Sequence, residues 1–427
     1  MGTYFWFREA IKVRIKRLLP LLLLAAAAFG QSNDIKVTPR ARALHDSAIV
    51  IDTHADTPQR FVDEGFDIGG QAGQGYIDLD KIKAGNLGAE FFSIWVEPSF
   101  KGQYVQRAMD LIDSVYEQAA RHPDRMMMAY SADDILRAHR EHKFAALLGL
   151  EGGHAINDDL RVLRDYYRLG ARYMTLTWSN TNDWADSSGD INDTTVQHHN
   201  GLTPFGKQVV EEMNRLGMIV DVSHVSDKTF WDAIAVTKAP LIASHSSARA
   251  LTNAPRNMTD DMLRAVAKNG GVVQVNFYAA FDDQTYRDAV RGASAKCDKE
   301  VEAAQEKYKQ AHPGVTIVPY QMTEPVERAC YAGVPRPPFK SLIDHIDHIA
   351  KVAGVDHVGL GSDFDGISAA PAGMDSAADL PKITQALLDR GYTADDIRKI
   401  LGGNTLRVMR ALERVSREMQ AAEKAPQ

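Results

Sequence analysis

The sequence predicts an α/β protein, a (β/α)8 TIM barrel with a rim insertion after strand seven. Two patterns along its 427 residues lead there. Eight short apolar runs, rich in β-branched and aromatic residues, alternate with helical stretches; such near-continuous apolar strands belong in a parallel sheet covered on both faces. Six of the eight runs close on His, Asp or Glu, which suits a barrel whose C-terminal strand ends carry the active site. A doubly wound open sheet is the structural rival.

In chain order the first four runs are "AIVIDTH" closing at His54, "AEFFSIWVE" at Glu97, "FAALLGLE" at Glu151 and "RYMTLTW" at Trp178. They continue with "GMIVDVSH" at His224, "PLIASH" at His245, "GVVQVNFY" at Tyr278 and "DHVGLGSD" at Asp363. Between them, "TDDMLRAVAKNGG" starts with acids and ends in glycines, as a helix aligned with its own dipole should. Thr393 with Asp396 makes a capping box before "IRKIL", and Gly402 with Gly403 supplies a stop. The segment 281–338 is too long for one crossover. It joins a charged helical pattern, "AKCDKEVEAAQEKYKQA", to a Pro-punctuated stretch, and is read as an excursion on the barrel rim.

The expected organisation is a signal peptide (1–30), a polar lead-in (31–45), the barrel with its insertion (46–412) and a charged C-terminal tail (413–427). Arg8, Lys12, Arg14, Lys16 and Arg17 precede the apolar run 18–29, and small residues follow. That run is too short to cross a bilayer core of about 30 Å as a helix, so cleavage near Gly30 and export to the periplasm or medium are expected. An uncleaved anchor is the alternative. No Cys follows the run to take a lipid, so no stable membrane insertion is expected after signal removal. A net charge of -7 with no basic stripe beyond the first 17 residues sets nucleic acid aside as a partner. The only cysteines, Cys297 and Cys330, fall in the rim segment; as a disulfide they would pin it, and as free thiols they would not.

"DTHAD" puts His54 and Asp56 on one face of an extended segment, roughly 6.5 to 7 Å apart, close enough to converge on one ion. Alone the pair is weak, because a solitary His is more often a satisfied core residue. His224 and His245 close two further strands, and Glu151 closes another before the glycine turn "EGGH". Together these five form a mixed N/O donor set suited to zinc or a similar divalent ion. Five ligands exceed one open tetrahedral site and suit two metals bridged by a carboxylate and a water. Glu151 is the natural bridge, since Gly152 and Gly153 allow close approach. "GLGSDFDG" adds Asp363 and Asp365 on one face, and one of these carboxylates could move a proton between water and a leaving amine.

These residues and their order resemble the membrane dipeptidase (renal dipeptidase) family of binuclear zinc peptidases. The matching motifs run from about Val50 to Met409 and are "DTHAD", "EGGHAI", "NGLTPFG", "DVSHVSD", "ASHSSARAL", "NAPRNMTDDML", "VNFY", "GSDFDG" and "LGGN". The resemblance implies two zinc ions per subunit, one on His54 and Asp56, the other on His224 and His245, with Glu151 bridging. It implies that Asp363 lies by the bridging water, that Arg256 in "NAPRN" grips a substrate carboxylate, and that Tyr278 lines the pocket. It also implies a homodimer, and a second-layer role for His154 in orienting Glu151. A planar guanidinium matches a carboxylate bidentately. Without the motif around it, Arg256 would be read as a surface partner of Asp260 or Asp261.

The implied activity is hydrolysis of dipeptides, a D-residue at the C-terminal side included, by a bridging hydroxide. The chain departs from the pattern at Trp178, where the family carries His before a loop ending "WAD". An indole donates one hydrogen bond and takes up no proton near neutral pH. Two alternatives therefore stand beside the dipeptidase: a metallohydrolase of lactones, β-lactams or N-acyl amino acids, and a catalytically weakened zinc-binding homologue. His198 or His199, in the loop after the fourth run, could supply the missing imidazole.

Overall fold

Nine strands are present in the computed structural model, which describes residues 35–70, 75–315 and 317–424. They are Val50–Ala55 (β1), Leu87–Trp95 (β2), Met126–Met128 (β3), Phe144–Glu151 (β4) and Ala171–Thr175 (β5), then Ile219–Asp221 (β6), Ile242–Ala243 (β7), Val272–Val275 (β8) and Val358–Leu360 (β9). All pair in parallel. The order β1, β2, β4, β5, β6, β7, β8, β9 closes when β9 pairs with β1 through Asp52 and Leu360, so the eight-stranded barrel stands and the open sheet does not. The eight expected runs are its eight strands. The additional strand, β3, lies outside the ring beside the first residues of β4. Three methionines, with no alternation and no β-branched residue, carry too little strand signal to announce it.

Every residue of β4 is buried, which is why it reads as a near-continuous apolar run; β1 is buried throughout as well, although it carries Asp52, Thr53 and His54. β6 and β7 are only three and two residues long although their apolar runs are longer. Serines end the ladder there: the Ser223 hydroxyl accepts the His245 amide, while Ser244 donates to the Asp221 carboxylate. The histidines beyond them therefore sit on short, side-chain-braced turns above the barrel.

The helix Asp260–Asn269 has Thr259 as its N-cap and Gly270 in the left-handed conformation as its C-cap. The Thr393–Asp396 capping box is also formed. The expected stop at Gly402 and Gly403 is not: after a distorted turn the chain continues as the helix Asn404–Lys424, which takes in most of the charged tail. The glycines serve close packing instead. A Cβ on Gly402 would run into the Ile49 carbonyl, and Asn404 donates to the carbonyls of Val355 and Val358 at the foot of β9.

The rim segment after the seventh barrel strand, β8, holds the 28-residue helix Gln284–Ala311 and the helix Glu324–Tyr331, whose Pro325 sits in the first turn where its missing N–H costs nothing. The crossover to β9 is the separate helix Lys340–Ala353. Cys297 and Cys330 are free thiols that pack in one apolar cluster with Tyr286 and Tyr331. The expected signal peptide lies outside the described residues, and no described helix is long and apolar enough to cross a membrane.

Candidate metal centre and active site

The strand ends bring His54, Asp56, Glu151, His224, His245 and Asp363 together at the C-terminal mouth of the barrel. His54 Nε2 lies 3.2 Å from Glu151 Oε2, 3.6 Å from Asp56 Oδ2 and 4.0 Å from Asp363 Oδ1. The other Glu151 oxygen, Oε1, is 2.9 Å from His224 Nε2 and 3.6 Å from His245 Nε2. Glu151 thus stands between two imidazole groups with one oxygen toward each. The groups also touch: the His54 and His245 rings stack with centroids 3.8 Å apart.

A second layer of side chains behind this cluster orients its imidazoles. His54 Nδ1 is 2.7 Å from the Tyr173 hydroxyl, and His245 Nδ1 is 2.7 Å from Ser244 Oγ, which in turn donates to Asp221 Oδ2. Because the Ser244 proton goes to Asp221, its oxygen accepts from His245, which places that ring's proton on Nδ1 and turns Nε2 into the site; the Tyr173 hydroxyl fixes the orientation of the His54 ring. His54 Nε2 and Asp56 Oδ1 are buried with no hydrogen-bond partner. Ser93 donates to Glu151 Oε2 at 2.9 Å, and Asn276 donates to Asp363 Oδ2 at 2.8 Å.

Burial disfavours charge on the imidazoles and carboxyls alike, and the groups divide: Tyr173 and Glu151 overcome it at His54, which is raised well above its usual value. His224 is pushed down to about 3, by burial first and then by the Arg256 charge; His245 is lowered well below its usual value, again chiefly by burial. Burial works against ionisation of Glu151, but His54 and His224 overcome it and hold its carboxyl well below the usual range. Asp56 is driven up to about 7 by burial and the neighbouring Glu151 charge. Three converging carboxylates, orphaned buried acceptors and imidazoles offering lone pairs form a donor set that fits divalent metal. Two overlapping groups, His54–Glu151–His245 and His54–Asp56–Asp363, have ligand atoms all within 4.8 Å of one another.

His224, Asp363 and Asp365 have left-handed backbones, with φ of 66°, 64° and 63°. Such non-glycine conformations cost energy and persist only where the surroundings enforce them, commonly at functional sites. They also correct the expectation that Asp363 and Asp365 share a face. Because the chain turns instead of extending, Asp365 points away, accepting from the Thr57 hydroxyl and the Tyr76 amide. Gly152, at φ 97°, makes the turn after Glu151 in a region closed to most side chains. Gly366 solves a packing problem: a Cβ there would collide with Asp56 Oδ2 and press on Asp363 Oδ1. Gly366→Ala is expected to weaken metal binding about tenfold or more, measured by competition with a chromogenic chelator.

Above this centre opens a cavity of about 630 Å³ lined by Arg256, Trp178 and Tyr278 among others. Arg256 makes no ion pair among the described residues. Its contacts are long ones, 3.4 Å to Ser246 Oγ and 3.3 Å to the His245 carbonyl, with the guanidinium over Phe281. Burial lowers it to about 10, so it stays charged. Asp260 and Asp261, its surface alternatives, pair with His348 and Arg264 instead. Trp178 packs against Trp95 at 5.0 Å and against the His224 ring at 6.2 Å. Tyr278 packs edge-on against Phe281, and its hydroxyl accepts from Ser368.

His154 does not orient Glu151 by hydrogen bonding; its Nε2 meets the Val96 carbonyl, and Ser93 takes that role. Nor do His198 and His199 replace an imidazole: His199 Nε2 meets the Asn182 carbonyl, and His198 lines a different cavity. Ser93, Tyr173 and Asn276 escaped sequence reasoning because each sits in an apolar run as ordinary polar filler. The strand alternation Phe91–Ser93–Trp95 was the available signal for Ser93.

His345 was missed for a different reason, lying on a helix far along the chain. Its Nδ1 accepts the Ala248 amide at 2.9 Å and its Nε2 meets the Asp282 carbonyl at 3.2 Å, tying down the loop that carries Arg256. Burial depresses it from 6.5 to about 4. The unfolded chain therefore takes the proton first, so this contribution is complete above pH 6.5 and is lost as pH falls toward 4. The loss amounts to about 3 kcal/mol. Urea midpoints of wild type and His345→Gln between pH 7 and 4 should diverge in slope; identical slopes would refute the assignment.

The chain matches the membrane dipeptidase family, peptidase family M19, over residues 38–423. It is 33% identical over 351 residues to dipeptidase tcpJ of Claviceps purpurea, covering 80% of this chain and 70% of that one. Its fold is similar to that of a probable dipeptidase, PvdM, from Pseudomonas aeruginosa, at a TM-score of 0.72 and 28% identity, over 88% of this chain and all of that one. A Rhodobacter sphaeroides metallopeptidase, solved with a phosphinate mimic of L-Ala-D-Ala, shares the fold at a TM-score of 0.68 and 23% identity, over 86% of this chain and all of that one. With the family matched along nearly the whole barrel and its mouth holding a donor set fit for metal, the chain belongs to the membrane dipeptidase family and is an enzyme of the metallo-dipeptidase class.

Proposed function

We propose that this enzyme is an exported, zinc-dependent dipeptidase that holds two zinc ions per subunit and accepts a D-residue at the C-terminal side. The observation carrying the proposal is Glu151 standing between His54 and the His224–His245 pair, with an unpaired Arg256 in the same cavity. His54 and Asp56 would hold one ion, His224 and His245 the other, with Glu151 shared. Bound there, the two ions supply a nucleophilic hydroxide at neutral pH and positive charge for the developing oxyanion.

The chain's own residues do the rest. Arg256 engages the free carboxylate and fixes the register of a short peptide, so that the scissile carbonyl falls over Glu151. Asp363, with Oδ2 tied to Asn276 and Oδ1 toward His54, accepts the proton of the attacking water and returns it to the leaving amine. The D-residue reading draws support from the L-Ala-D-Ala mimic bound by the Rhodobacter sphaeroides relative. Export rests on the basic and apolar N-terminus, and a homodimer is the assembly proposed.

The test is a panel of L,L and L,D dipeptides assayed with zinc. Turnover should disappear on chelation and return with zinc at about two equivalents per chain, together with a rise in thermal midpoint as ligand binding stabilises the fold. Absence of turnover by protein shown to carry its metals would sink the reading.

A further inference from the structure

Across the mouth from Arg256 the cavity changes character. Arg256 follows β7 and Glu97 follows β2; the two strands stand four places apart in the ring of eight and so face each other. On the Glu97 side, Trp95, Trp178 and Tyr320 form one aromatic wall, with Trp95 5.0 Å from Trp178 and edge-on to Tyr320 at 5.7 Å. Tyr320 and Gln321 come from the rim insertion, which thereby builds part of the pocket.

Three polar atoms at this end are buried without a partner: Glu97 Oε2, Trp95 Nε1 and Gln321 Nε2. Buried polar atoms normally have partners. Glu97 Oε2 is the acceptor among the three and calls for a donor from the occupant, while the Trp95 and Gln321 N–H groups are donors that a cation leaves to water or to a substrate carbonyl. The carboxyls at this end, Glu97 and Glu327, are both raised by burial, and a cation beside them favours their ionised form. Glu327 also lines the cavity, accepting from the Tyr320 hydroxyl, and Arg107 is already committed to Asp63 and Gln59.

We propose that this end is a subsite for a cationic side chain, a guanidinium or ammonium, on the first residue of a dipeptide whose carboxylate Arg256 holds. Glu97 accepts its N–H groups, and the faces of Trp95, Trp178 and Tyr320 attract its charge. The subsite rests on the dipeptidase reading above. In it, the indole of Trp178 is a specificity element in place of a proton-carrying group.

The experiment compares kcat/KM for Arg-Ala, Lys-Ala, Gln-Ala and Leu-Ala with zinc-loaded enzyme. The two cationic substrates should exceed the neutral ones by about tenfold or more. Glu97→Gln and Trp178→His should each lower that ratio in protein that keeps its thermal midpoint. Equal rates for all four, a preference for Gln-Ala, or a ratio untouched by Glu97→Gln overturns the proposal. If no dipeptide is cleaved, the dipeptidase reading fails and calorimetry of Arg-Ala against Leu-Ala still decides the subsite. Tighter Arg-Ala binding supports it, and equal affinity overturns it.

Discussion

Replacing Asp363 by Asn should lower kcat by about 10²- to 10⁴-fold while leaving KM within a few-fold, the usual scale for loss of a positioned general base. The substitution is nearly isosteric, and the geometry says why the effect should fall on the chemical step. Asp363 is held on both sides: its Oδ2 accepts from Asn276, and its left-handed backbone at the top of β9 aims Oδ1 toward His54 and Asp56. An amide keeps the size and most of the contact but cannot take up a proton. Zinc content should be unchanged. If the variant keeps wild-type kcat, Asp363 is not the proton carrier; if it loses zinc, Asp363 serves as a ligand.

Arg256→Ala should cost about 3 kcal/mol of transition-state binding, roughly 10²-fold in kcat/KM, expressed mainly in KM. The cavity holds a buried, charged guanidinium with no carboxylate partner, and its contacts to Ser246 and His245 are long. Such a group contributes little to folding, so the thermal midpoint should hold or rise, unlike the outcome of breaking a buried ion pair. Lys at this position should recover only part of the loss, because an ammonium lacks the planar fork. A dipeptide amide, blocked at its carboxylate, should be as poor for wild type as the free dipeptide is for the variant. If blocking the carboxylate makes no difference to wild type, Arg256 has another role.

The barrel was legible because its strands are buried on both sides and its helices carry caps. A parallel sheet under helices requires runs such as "FAALLGLE", and Thr259 and Thr393 mark helix starts by local chemistry alone. The residues of the candidate metal centre were legible for a related reason: His54, Glu151, His224, His245 and Asp363 stand where apolar runs end, and apolar runs ending in ionisable groups are conspicuous. Gly402 was misread because a glycine that ends a helix and one that lets a helix approach a strand look alike until the strand is in place.

Local pattern by itself therefore determined the eight strands, their parallel α/β class and the residues at their ends, since each rests on periodicity, capping or the identity of a strand's last residue. Closure into a barrel was decided by the pairing of β9 with β1. Tertiary structure decided what depends on residues distant in the chain. Ser244 sets the His245 tautomer, Tyr173 orients the His54 ring, His345 holds the Arg256 loop from nearly a hundred residues away, and the rim insertion completes the wall beside Trp178. Asp363 and Asp365 diverge because a left-handed turn replaces the expected strand. Hydrogen bonds and ring contacts of this kind are set by where the closed sheet places each backbone, and no spacing along the chain encodes that distance.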